Sequence, residues 1–118
     1  MRLFRSASPD FIRTMRRELG RECAFVLDTK QAVRSGVEPD EMCRAMGEQL
    51  VHVHLSDHTE TESCLLPGEG TYDFRILRDA LLRVGYTGDI ITEVYRPAIR
   101  DDAALKDALS YTKGIFED

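Results

Sequence analysis

No apolar run in this sequence approaches the roughly 20 residues that cross a bilayer. Its first residues, Met1-Arg2-Leu3-Phe4-Arg5, lack the apolar core of a secretory signal. Cysteine is scarce: Cys23, Cys43 and Cys64 are odd in number and widely spaced. They make no disulfide framework and point to a reducing cytoplasm. Positive charge is not in excess either. Sixteen Lys and Arg against 21 Asp and Glu leave a formal charge of -5, which offers no footprint for nucleic acid or an anionic membrane. Arg13, Arg16 and Arg17 cluster, but beside Asp10 and Glu18 they read as a solvated helix face. Internal repeats, low-complexity linkers, a Walker lysine and a dinucleotide fingerprint are all missing. What is left is a globular chain of 118 residues, 42% hydrophobic and 31% charged, long enough for one core and one domain at most.

The apolar residues that are present alternate between helical and strand patterns. Ser8-Pro9-Asp10 combines a capping hydroxyl, proline at the first helical position and an acid at the positive dipole end. Phe11, Ile12, Met15 and Leu19 then recur at helical spacing, and Gly20 stops the run. Cys23 to Leu27 reads as a buried strand ending at Asp28. Pro39 opens a helix with Met42, Cys43 and Met46 inward and Gly47 at its end. Leu50 to Leu55 is a second strand. Asp73 is the expected cap of a helix carrying Phe74, Ile76, Leu77, Leu81 and Val84 on one face. Gly85 and Gly88 bracket a turn into a strand from Asp89 to Tyr95. A last helix, from Asp101 or Asp102, is expected to turn Leu105, Ala108, Leu109 and Tyr111 inward.

Strands separated by helices imply an α/β fold with a parallel sheet. Period two then places Ala24, Val26 and Asp28 on one face, Leu50, His52 and His54 on another, and Ile91 and Glu93 on a third. If these faces agree, Asp28, His54 and Glu93 converge at the carboxyl ends of neighbouring strands, where α/β folds bind ligands. Two carboxylates and an imidazole suit a divalent ion such as Mn²⁺, Co²⁺, Mg²⁺ or Zn²⁺. Such an ion can polarise a hydroxy-ketone for proton transfer, or activate water for phosphodiester cleavage. Each residue also has a plainer reading. Asp28 can be a helix cap, His52 a hydrogen-bonded core histidine, His58 an exposed loop residue, and Glu93 the partner of Arg96 or Lys30. The glycines of Pro67-Gly68-Glu69-Gly70 permit tight turns and close approach to a ligand.

His52-Val53-His54-Leu55-Ser56-Asp57, Leu66-Pro67-Gly68-Glu69-Gly70 and Tyr72-Asp73-Phe74 together resemble the xylose isomerase-like TIM barrels. Gly85-Tyr86-Thr87-Gly88 and Ile91-Thr92-Glu93-Val94-Tyr95 continue the likeness, and Leu27-Asp28-Thr29-Lys30-Gln31-Ala32 is similar to an Asp-x-x-His segment at the sixth strand. That superfamily includes sugar-phosphate isomerases and epimerases, and the related apurinic endonucleases. The resemblance runs from about Ser6 to Arg96. It implies the C-terminal half of a (β/α)₈ barrel, with residues 1–118 forming one partial domain. It also implies metal ligands at Asp28, His54 and Glu93, with Glu93 catalytic as well.

Gln31, Lys30, His58 and Arg96 are then candidates for contacts to a sugar or polyol. Gln31 stands where many members carry histidine. The family's ligand glutamate on the fifth strand has no counterpart before Phe4. The expected function is a metal-dependent sugar or sugar-phosphate isomerase or epimerase. The alternatives are a partner-dependent or inactive half-barrel binding module and, with less support from three histidines and an acidic balance, a phosphodiesterase acting on abasic DNA. Four strands with open edges would be completed by a second copy or by an N-terminal half-barrel.

Overall fold

In the computed structural model, which describes residues 2–5, 8–94 and 99–117, strands and helices follow one another along the chain. The elements are β1 (Arg2–Arg5), α1 (Pro9–Leu19), β2 (Cys23–Asp28), α2 (Thr29–Ser35), α3 (Pro39–Met46), β3 (Leu50–Leu55), α4 (Phe74–Arg83), β4 (Asp89–Thr92) and α5 (Asp102–Phe116). The strands form one sheet in the order β1-β2-β3-β4, and each adjacent pair is parallel. Among the described residues no helix is long and apolar enough to cross a membrane.

Helix starts follow the local chemistry of the sequence. Ser8 Oγ accepts the Phe11 N–H at 3.1 Å, with Pro9 at the first turn. Asp73 accepts from Arg75 and Ile76, and Asp101 from Ala104 at 2.8 Å. Asp28 caps α2 through the Gln31 N–H at 3.3 Å. The sequence pattern assigns no element between Asp28 and Pro39. The seven residues of α2 are too few to display a helical period, and Gly36, at φ 70°, ends them in a left-handed conformation.

One face of the sheet packs under the helices. Cys23, Phe25 and Leu27 of β2, with Leu50, Val53 and Leu55 of β3, join Ile12, Met42, Met46, Phe74 and Leu77 in a single buried cluster. The shared-face expectation for Leu50, His52 and His54 therefore fails at its first member. Phe25 pairs with Leu50 and Val26 with His52, so Val51 is an extra residue in β3 and the register shifts there. Below it Leu50 faces the helices; above it His52 and His54 face the other side.

That other side carries Leu3, Arg5, Val26, Asp28, His54, Ile91 and Glu93. Its outer strands are open, with Leu3 59% and Ile91 45% exposed. The third expected strand is shorter than its pattern suggests, ending at Thr92, although the Glu93 N–H still donates to Leu55 O at 2.9 Å. Tyr95 lies outside the described residues.

Three further expectations are corrected. Helix α5 buries Ala104, Ala108 and Ile115, whereas Leu109 and Tyr111 are exposed. Its small residues seat it against Leu66 in a second, smaller cluster. Ile76 and Phe11 are likewise exposed, Phe11 lying edge-on to Phe4. Finally, Arg16 is not part of a solvated face. Its Nε donates to Gln49 Oε1 and its Nη1 to Ala45 O at 2.8 Å, while Gln49 Nε2 donates to Gly20 O and Cys23 O at 2.7 and 2.9 Å. This knot ties α1, α3 and the starts of β2 and β3 together at the amino end of the sheet.

Candidate metal centre

At the opposite end of the sheet, period two and the shifted register act together. Asp28 pairs with His54, and His54 with Ile91, two residues before Glu93. All three functional side chains leave on the open face. One donor atom from each of Asp28, His54 and Glu93 lies within 4.8 Å of the others. Asp28 is buried, His54 half-buried and Glu93 exposed. The plainer and the chemical readings of Asp28 are both met, by different oxygens: Oδ1 caps α2, and Oδ2 faces the cluster.

The electrostatics of the cluster centre on His54. Its Nδ1 lies 2.7 Å from Glu93 Oε2, but the two are not aligned for a hydrogen bond, and this buried nitrogen has no hydrogen-bond partner. Two lone-pair atoms this close require a proton or a cation between them. An ion with bonds of about 2.0–2.3 Å spans donors up to roughly 4.5 Å apart. The 4.8 Å cluster therefore needs only sub-ångström side-chain shifts to close on one. In number, chemistry and position the three donors fit a divalent ion.

Besides His54, Glu93 meets Arg5, whose Nη1 lies 3.4 Å from Glu93 Oε1 and 3.5 Å from Asp28 Oδ2. Sequence pattern gave no sign of this, because it depends on β1 lying in register beside β2. Arg96 lies outside the described residues. Lys30 and Gln31 line a cleft of about 180 Å³ with Arg5, Asp28, Ser56, Cys64, Glu93 and Val94. His58 does not reach that cleft. It is half-buried, lies edge-on to Tyr72 and lines a neighbouring cavity of about 230 Å³ that shares Lys30, Ser56 and Cys64 with the first. His52, read as a hydrogen-bonded core residue, has a buried Nδ1 with no such bond, and its ring centroid is 6.4 Å from that of His54.

The scaffold beneath the site has a component that sequence reasoning missed. Asp57 is 2% exposed, and its carboxylate accepts four backbone N–H groups. His58 and Tyr72 donate to Oδ1 at 2.8 and 2.9 Å, and Gly68 and Gly70 to Oδ2 at 3.0 Å each. The long loop after β3 is thereby gathered onto one carboxylate. Gly70 has no room for a side chain, since a Cβ would collide with His58 O and Asp57 Oδ1. Buried Thr29 Oγ1 accepts from Ser56 N at 2.9 Å and donates to Ser56 O at 3.0 Å, which fixes the end of β3 against the start of α2. Further out, Arg100 forks onto Glu69, and that hydrogen-bonded guanidinium holds the Glu69 carboxyl below its usual range. Burial pushes the Tyr72 hydroxyl well above its ordinary value, keeping it neutral beneath the loop.

This arrangement of parallel βα units with a donor cluster at the strand ends defines a class, and sequence comparison identifies it. Residues 3–115 match the family model for the xylose isomerase-like TIM barrel, and the chain belongs to that family. Its four-stranded parallel sheet corresponds to part of such a barrel. The chain is similar to an uncharacterized protein of Mycobacterium leprae, 30% identical over 83 residues, covering 69% of this chain and 30% of that protein. It is also similar to an uncharacterized protein of Mycobacterium tuberculosis, 27% identical over 100 residues, covering 80% of this chain and 36% of the relative. The chain thus spans about a third of the length of these curated relatives.

Among solved structures it resembles D-psicose 3-epimerase crystallised with D-fructose, with a TM-score of 0.76 at 19% identity, covering 94% of this chain and 44% of that one. It also resembles the 3-keto-D-glucoside 4-epimerase of E. coli, with a TM-score of 0.67 at 20% identity, covering 86% and 37%. Likenesses at this identity establish the shared fold.

Proposed function

We propose that this chain, as a single partial barrel domain, supplies the metal-binding wall of a sugar isomerase or epimerase active site. The observation that carries the reading is the meeting of Asp28, His54 and Glu93 around a buried His54 nitrogen that makes no hydrogen bond. Asp28 Oδ2, His54 Nδ1 and Glu93 would hold the ion. Mn²⁺, Co²⁺, Mg²⁺ and Zn²⁺ all accept such a donor set. When bound, the ion would draw electron density from adjacent oxygens of a hydroxy-ketone and acidify the proton on the hydroxyl-bearing carbon beside the carbonyl.

The chain's own residues do the rest. The exposed carboxylate of Glu93 stands at the rim of the cleft, where it can accept that proton and return it. Lys30 and Gln31, at the start of α2, offer donors to sugar hydroxyls. His58 belongs to the adjoining cavity and would meet the far end of a longer sugar or sugar phosphate. Arg96 keeps its proposed role of substrate contact. The epimerases named above act on sugars, which favours a sugar or polyol for this site.

A second reading, a binding module without turnover, is favoured by the cleft itself. At about 180 Å³ it is smaller than the roughly 300–1,000 Å³ usual for ligand sites, as expected of one wall rather than a whole site. The completing surface would be a second copy or an N-terminal half-barrel. Titration with Mn²⁺, followed by the electron paramagnetic resonance of the free ion, tests the common element of both readings. Saturable binding that disappears in His54→Ala supports the site. Binding unchanged by that substitution, or none at all, removes it. Exchange of solvent deuterium into a ketose by the metal-loaded chain would then separate turnover from binding alone.

A further inference from the structure

Arg5 pairs with Val26, two residues before Asp28, so its side chain leaves β1 on the face that carries the donor cluster. One guanidinium nitrogen, Nη1, stands 3.5 Å from Asp28 Oδ2 and 3.4 Å from Glu93 Oε1. The other Asp28 oxygen is engaged in capping α2, and the other Glu93 oxygen faces His54. Arg5 therefore lies against a carboxylate oxygen of each of the two acidic members of the donor cluster. The geometry points to Arg5 as an internal counter-cation that competes with a divalent ion for Asp28 and Glu93, so that the ion binds only as the arginine swings away. This rests on the metal-site reading above.

The argument is one of charge and fit. A dication bonded to these oxygens would lie within a few ångströms of the guanidinium, where like charges in a partly desolvated cleft repel strongly. Arg5 cannot relieve that repulsion by losing a proton, as a lysine or histidine could. It can relieve it by moving. Its side chain is 59% exposed, and its contacts at 3.4–3.5 Å are longer than the roughly 2.7–2.9 Å of a well-formed charge-assisted hydrogen bond. One long hydrogen bond to Glu93 and an ion pair with Asp28 hold it, not a fixed fork. In the metal-free chain Arg5 would keep the two carboxylates together and partly neutralised. Arg5 would thus set the affinity of the site without donating to the ion, which makes it a positioning residue.

The test measures Mn²⁺ affinity of the full chain by electron paramagnetic resonance, for the unaltered protein, Arg5→Gln, Arg5→Lys, Arg5→Glu and His54→Ala, with circular dichroism to confirm folding. Arg5→Gln is expected to tighten Mn²⁺ by about tenfold or more, Arg5→Glu further, and Arg5→Lys to stay near the unaltered value because it keeps the charge. Thermal melts give a second readout: Mn²⁺ should raise the melting temperature of Arg5→Gln more than that of the unaltered chain. If Arg5→Gln does not fold, the order of Arg5→Lys and Arg5→Glu decides. Binding that needs His54 but is not tightened by removing the positive charge overturns the counter-cation role and leaves the metal site standing. Binding by no variant overturns both.

Discussion

The two ends of this sheet are built to opposite specifications. At the amino end, Arg16 and Gln49 use donors and acceptors on each other and on the carbonyls of Gly20, Cys23 and Ala45. At the carboxyl end of the same strands, the imidazoles of His52 and His54 each keep a buried nitrogen without a hydrogen bond, and two carboxylates share one arginine. A fully matched polar network rigidifies, whereas an incompletely matched one costs stability unless something binds to it. The difference teaches where this chain invests in holding together and where it leaves polar groups incompletely matched. Folds of this class divide the labour of their two faces in the same way.

The largest expected effect is at neither histidine but at Asp57, which gives the reactive end its shape. Asp57→Ala would leave four backbone N–H groups without their acceptor and is expected to destabilise the chain by about 3 kcal/mol or more in urea unfolding. Asp57→Asn should recover part of this, since an amide keeps one acceptor oxygen. A paired experiment then sharpens the contrast between the ends. Arg16→Ala is expected to cost about 1–3 kcal/mol and leave Mn²⁺ affinity unchanged. His54→Ala should abolish Mn²⁺ binding while shifting metal-free stability by about 1 kcal/mol or less. Equal stability losses from the two substitutions would erase the distinction.

The smallest effect concerns the core between the two ends. Burial, with Asp40 nearby, pushes the Cys43 thiol up to about 12 from an ordinary value near 9. A folded-state value above the unfolded one means that the native chain holds its proton longer. The stability contributed by the neutral thiol is therefore complete below about pH 9 and lost as pH rises towards 12. Cys43→Ala should flatten that alkaline decline in pH-dependent urea melts, and an unchanged slope would assign the decline to other groups.

Much of this was legible in the sequence, and the exceptions have physical causes. Caps at Ser8, Asp73 and Asp101 are local chemistry, visible wherever a short polar side chain precedes a helical period. The convergence of Asp28, His54 and Glu93 needed only alternation and parallel pairing. Arg5 and Asp57 were hidden for a different reason: their partners are 23 to 88 positions and 1 to 15 positions away respectively, and nothing in a residue's type announces which distant groups it will meet. Arg16 was misjudged because a basic cluster on a helix normally faces water. Helix α5 turns inward at Ala108 and packs Leu105 beside it as its pattern suggests, but close docking selects the small Ala104 as well and leaves the large Leu109 and Tyr111 outside.

Val51 has a consequence of its own. A strand with unbroken alternation is a single sentence, in which every second residue must say the same thing to the same side. The unpaired Val51 acts as a comma in β3. Before it Leu50 speaks to the helices; after it His52 and His54 speak to the open face, while Val53 and Leu55 keep to the helices. Had Val51 been paired as an ordinary strand residue, strict alternation would have put Leu50 on the same side as His52 and His54, so either a leucine would leave the core or two imidazoles would enter it. The placement of the candidate centre is in this sense a matter of counting: one residue that touches neither ion nor substrate decides whether β3 can be greasy at its start and chemical at its end.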